Sequence, residues 1–90
     1  MKVTSENLDR LQSHLSQLRA LLEFTQTDLA YELGVSKTTI YNWEQNKVAM
    51  SKLSYLAMIS IINKKVNESS DPRLAKIISI ILGGDDEWRL

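Results

Sequence analysis

The chain has 90 residues, enough for one domain with a modest core, and is 43% hydrophobic and 24% charged, an ordinary balance for a soluble globular chain. Lys+Arg and Asp+Glu both number 11, giving zero net charge, and there is no cysteine; disulfides and thiolate metal sites are excluded, while a reducing cytosol is permitted. No apolar run reaches the ~18 residues of a membrane helix, and the start, MKVTSENLDR, turns polar at once and is no signal peptide, so a cytoplasmic protein with no membrane partner is expected.

The neutral total hides a pattern. Residues 1–35 hold three basic and five acidic side chains, a balance of −2. Residues 36–65 hold Lys37, Lys47, Lys52, Lys64 and Lys65 against Glu44 alone, a balance of +4, and residues 66–90 return to −2 with three basic and five acidic. A local field of this kind, more than net charge, steers a polyanion.

Apolar residues recur at helical spacing, no alternating strand pattern lasts, and three Gly and one Pro are too few for an all-β chain. The chain therefore reads as all-α with about five helices. A first helix is predicted from about Ser5 to Phe24, with Leu8, Leu11, Leu15, Leu18 and Leu22 on one stripe. A short domain needs only the last three for its core, so Leu8 and Leu11 are expected to project past it. Thr25 caps the second helix, with Asp28 placed to complete a capping box and Phe24 and Leu29 at the spacing of a hydrophobic staple. That helix ends at Leu33, and Gly34 supplies the left-handed residue for a sharp turn. Ser36 caps a third helix that runs to about Gln45, with Val35 and Ile40 as a second staple and Asn46 as a left-handed end.

The fourth helix, about Ser51 to Asn63, is rich in apolar residues, and KKVNESSD reads as a polar linker. Asp71 caps the fifth, with Pro72 at its first position. Its stripe is Leu74, Ile77, Ile78, Ile81 and Leu82, with Ile80 outside it, and Gly83-Gly84 ends it. Residues 1–84 are thus expected to form one domain, followed by a mobile acidic tail, DDEWRL, over 85–90.

Two short helices joined by Gly-Val-Ser make a helix-turn-helix pattern over about 25–46. Leu29, Ala30 and Leu33 face inward from the first, and Ala30 must be small because its partner crosses close to it. Val35, Ile40 and Trp43 fill the core from the other side, so Trp43 is a core residue and not a stacking platform. Lys37, Thr38, Tyr41, Asn42 and Gln45 share the opposite face of the second. Lysine donates to guanine acceptors, asparagine pairs bidentately with adenine, and a threonine methyl meets a thymine methyl. Gln26 stands at a helix start, where free N–H groups and the dipole favour a phosphate.

The string LRALLEFTQTDLAYELGVSKTTIYNWEQNK resembles the lambda-repressor-like helix-turn-helix family, also called the Cro/xenobiotic-response-element type. With its flanking helices the resemblance covers residues 8–82. It implies a five-helix DNA-binding domain, here with an extended first helix. It also implies operator binding as a dimer, one helix crossing the backbone and the next entering the major groove. The base-reading positions of that family fall on Lys37, Thr38 and Asn42, with Tyr41 beside them. Phosphate contacts fall on Gln26, Ser36, Asn46 and Lys47; Lys52, Lys64 and Lys65 are weaker candidates. An arginine and a glutamate that the family pairs as a structural salt bridge correspond to Arg19 and Glu44.

The chain departs from the family in four ways. Its net charge is zero, Asn46 replaces a glycine, the first helix carries extra leucines, and the fifth is apolar nearly all round. Zero charge predicts weak non-specific affinity. The surplus apolar surface predicts a homodimer through the fifth helix (about 71–82), aided by the first. The expected function is a sequence-specific double-stranded DNA-binding transcriptional regulator, a repressor on a palindromic operator. A small stand-alone member suggests a prokaryotic, phage or mobile-element protein. The competing reading is a protein-interaction module, such as an antitoxin or adaptor that retains the fold, with a partner docked on the first helix or the acidic tail. Catalysis has no residue set: His14 is the sole histidine and has no obvious carboxylate partner, the acidic clusters lack EF-hand spacing, and no Gly-rich phosphate loop occurs. No metal or cofactor is expected.

Overall fold

In the computed structural model, which describes residues 3–90, the leucine-rich start does not form one helix. It forms α1 (Ser5–Ser13) and α2 (Leu15–Leu21), which meet at His14. An uninterrupted helix would bond the His14 N–H to the Arg10 carbonyl. Instead the Ser13 hydroxyl donates to that carbonyl at 3.0 Å, and His14 Nδ1, carrying the ring proton, does so at 2.8 Å. The His14 backbone N–H turns to the Leu11 carbonyl at 3.2 Å. Side chains thus take over one rung of the ladder and redirect the chain. The expected five helices become six among the described residues, with α3 (Gln26–Leu33), α4 (Lys37–Glu44), α5 (Lys52–Glu68) and α6 (Pro72–Ile81), and no strand is found there. Residues 1 and 2, which begin the polar start and the domain expected over 1–84, lie outside the described residues. Among the described residues, no helix is long and apolar enough to cross a membrane.

The bend at His14 wraps the leucine stripe around the core. Leu11, Leu15 and Leu18 are fully buried, Leu22 nearly so, and Leu8 packs against the same cluster. Leu8 and Leu11 therefore do not project past the domain, and the first helix offers no leucine stripe to a partner. Leu29 and Ala30 of α3, Ile40 and Trp43 of α4, four residues of α5 and two of α6 complete the core. The helix α5 also outlasts its expected end at Asn63. Val66 lies one turn beyond Ile62 on the buried face and packs on the core, so helix continues through KKVNE and the linker shrinks to residues 69–71.

The acidic tail is docked, not mobile. Trp88 is only 2% exposed and belongs to the core cluster. Its indole N–H donates to Ser79 Oγ at 2.9 Å, and that hydroxyl donates to Asp86 Oδ1 at 2.5 Å. The Asn63 side-chain amide donates to the Trp88 carbonyl at 2.9 Å and accepts from the Leu90 N–H at 3.0 Å, pairing with the tail as another strand of backbone would. Arg10 closes the other side: its guanidinium reaches the Leu82 carbonyl at 3.5 Å, where a side chain on Gly83 would have to stand. A polar hexapeptide with one aromatic reads as solvated only while its socket is unknown.

Trp88→Ala is expected to cost about 3 kcal/mol, the low end for a buried aromatic, and to lower Tm by on the order of 12–20 °C for a domain of this size. Thermal unfolding followed by circular dichroism checks this; an unchanged Tm would mean that the tail does not hold the fold.

Candidate nucleic-acid interface

The two helices of the motif are started and stopped by local chemistry. Thr25 Oγ1 accepts from the Asp28 N–H at 3.0 Å and the Asp28 carboxylate accepts from the Thr25 N–H at 2.9 Å, so both halves of the capping box form. The Thr25 backbone N–H, helped by its hydroxyl, holds the Asp28 carboxyl below its ordinary pKa. At the far end of α3, Gly34 is left-handed (φ 69°), and the Val35 N–H returns to the Ala30 carbonyl at 3.0 Å. Ser36 Oγ then accepts from the Thr39 N–H at 3.1 Å and opens α4. The helix α4 ends in the same device as α3, with Asn46 at φ 56° and the Lys47 N–H on the Asn42 carbonyl at 2.9 Å. A third such ending closes α2 on Glu23 (φ 62°), a residue type that gives no warning of a left-handed conformation.

What aims α4 is a buried carboxylate. The Glu44 side chain is 5% exposed. Arg19 Nε donates to Oε2 at 2.7 Å and Nη2 to Oε1 at 3.3 Å, a bidentate pair. Gln26 Nε2 adds a third bond to Oε1 at 3.0 Å, and Arg19 Nη1 donates to the Phe24 carbonyl at 3.0 Å. One charged cluster therefore ties α2, the start of α3 and the end of α4. Gln26, read from sequence as a phosphate contact, has one of its two amide N–H groups engaged in this brace.

The face of α4 turned away from Ile40 and Trp43 is open. Gln26, Lys37, Thr38 and Tyr41 line one groove, and Lys37, Thr38 and Tyr41 are exposed. Asn42 is half-buried, one turn beyond Thr38. Lys47 Nζ stands 5.3 Å from the centre of the Tyr41 ring, a cation–π distance that joins the loop after α4 to this face. Ser36 and Asn46 are exposed at the two ends of α4, although the Ser36 hydroxyl is already engaged in capping and in a 2.9 Å bond to Thr39 Oγ1. Lys65 is half-buried, with its ammonium 4.6 Å over the Phe24 ring. Lys52 and Lys64 are exposed on α5. Among the described residues, no group of three or more His, Cys, Asp or Glu is placed to hold a metal ion.

One residue of this region escapes a sequence reading. Gln12 of α1 is 5% exposed, and its amide bonds the Trp43 carbonyl (3.1 Å), the Val48 carbonyl (2.8 Å) and the Met50 N–H (2.9 Å). Beside a leucine stripe a glutamine looks like ordinary surface, and its partners lie more than thirty residues away.

Comparison with known proteins fits this geometry. A family model described as helix-turn-helix matches residues 15–68. Among curated proteins, the homeobox protein engrailed-like ceh-16 of Caenorhabditis elegans is 41% identical over 51 residues, which are 57% of this chain. The match covers 27% of that protein's length. No solved structure matches.

Glu44→Ala is expected to destabilise the fold by about 3 kcal/mol, because it strands a largely buried guanidinium. Replacing both partners, Arg19→Met with Glu44→Leu, is expected to lose clearly less than the single change. Urea unfolding of the three proteins checks this; a double variant as unstable as Glu44→Ala would show that the pair is not what couples these helices.

Proposed function

Because the chain belongs to the lambda-repressor-like helix-turn-helix family, we propose that it is a sequence-specific regulator of transcription, of the repressor kind, that reads double-stranded DNA with α4. In this reading α3 crosses the phosphate backbone and α4 lies in the major groove. Lys37, Thr38, Tyr41 and Asn42 meet base edges. Gln26, Ser36, Asn46 and Lys47 meet phosphates at the two ends of the paired helices, and Arg19 with Glu44 keeps the pair in register. The observation that carries the reading is the open polar face of α4 held outward by the buried Glu44 cluster.

The binding species is a homodimer on a palindromic operator, as symmetric subunits on a symmetric site require. Ile77 and Ile80 of α6 support it: they are 40% and 69% exposed, on a helix whose other apolar residues are spent on the core. The first helix is left out of this contact, since its leucines are buried. The same burial takes the leucines of the first helix away from the competing protein-interaction reading as well. We place the regulator in the cytoplasm of a prokaryote or its phage.

Selection of binding sites from random duplex DNA, at two salt concentrations, tests the proposal. The expected product is a palindrome with half-sites about 34 Å apart. Lys37→Ala and Asn42→Ala should each cost about 1–3 kcal/mol and relax base preference at one position per half-site. Enrichment of no motif, or unchanged preference in both variants, would overturn the assignment.

A further inference from the structure

The loop between α4 and α5 carries Asn46 and Lys47, yet the residue that holds it belongs to neither helix. From α1, Gln12 donates one amide hydrogen to the carbonyl of Trp43, in the last turn of α4, and the other to the carbonyl of Val48. Its own carbonyl accepts the Met50 N–H. The bonded positions lie on both sides of Asn46 and Lys47, so one buried side chain sets the span that these two residues bridge. Burying a primary amide costs free energy unless every polar atom finds a partner, and here they do. An apolar residue at this position would simply extend the core formed by Leu11 and Leu15. The amide is useful only for what it holds, which is the loop.

We infer that Gln12 is a positioning residue for backbone contacts to DNA: it presets the 46–50 loop so that Lys47, lying over Tyr41, meets a phosphate without first having to be ordered. This rests on the DNA-binding reading above and adds to it a separation of roles. Lys37 and Asn42 project from a helix braced by Glu44, whereas Lys47 projects from a loop braced by Gln12. Loss of Gln12 should therefore weaken the sequence-independent part of binding and spare base discrimination.

The full-length chain is titrated by fluorescence anisotropy with a duplex carrying the selected site and with a scrambled duplex of equal length, across a salt series. Gln12→Met removes the amide at similar volume. It should weaken binding to both duplexes alike, by about three- to tenfold, and flatten the slope of log K against log salt by about one phosphate contact. Lys47→Ala should add little in the Gln12→Met background, because both changes remove the same contact. Gln12→Glu keeps the acceptor for Met50 but faces two carbonyls with oxygen; it is expected to give the same signature and serves if the first variant does not fold. A Gln12 that merely supports the fold would leave the salt slope unchanged and add fully to Lys47→Ala, and either result overturns the inference. Wild-type protein that binds neither duplex overturns the DNA-binding reading as well; wild-type binding with unaltered variants overturns this inference alone.

Discussion

Glu44 buries its carboxylate at the end of α4, and a buried carboxylate is tolerated only where charge and hydrogen bonds replace its water. Arg19 supplies the charge and two bonds, and Gln26 supplies another. These partners come from the middle of α2 and the first residue of α3. Satisfying one carboxylate therefore fixes three helices with respect to one another. The apolar packing of Leu29, Ala30, Ile40 and Trp43 holds the same helices together, but dispersion alone admits small rotations that a bidentate ion pair does not. With Ile40 and Trp43 committed inward and Glu44 anchored at the helix end by Arg19 and Gln26, Lys37, Thr38 and Tyr41 are left facing outward. The candidate reading surface is a consequence of how the helix is held, by its apolar face and by Glu44 at its last turn.

The electrostatics follow the same economy. The chain is neutral, and its basic middle segment is less free than its +4 balance suggests. Lys65 is laid on Phe24 and Lys47 on Tyr41, so two of its five lysines are held against aromatic faces. A surface with few mobile cations attracts DNA weakly in general. Affinity on the proposed reading must then come from a small number of well-aimed groups, which puts a premium on Glu44 and Gln12 as aiming devices.

How much of this was legible in the sequence depends on the distance between partners. The capping box of Thr25 and Asp28, the Ser36 cap, the turn at Gly34 and the left-handed Asn46 all join residues within one or two turns, and the structure contains each of them. The Arg19–Glu44 pair spans 25 residues and is legible only through the family resemblance. Gln12, whose partners lie 31 to 38 residues away, was invisible. So was the socket for Trp88, assembled from Asn63 and Ser79 on different helices. The break at His14 is a different case. Its partners are local, but the Ser13 hydroxyl and the His14 ring together displace the His14 backbone N–H from the Arg10 carbonyl, and the unbroken leucine spacing conceals the break.

On the proposed reading, DNA meets the face of α4 turned away from Ile40 and Trp43. Backbone amide shifts measured on titrating the labelled protein with its selected duplex test it most directly. The largest changes are expected at Gln26, over residues 36–42 and at Asn46 and Lys47, with α6 and the docked tail little affected beyond any change at the dimer contact. Changes concentrated on α5, α6 or the tail, with α4 unmoved, would contradict it.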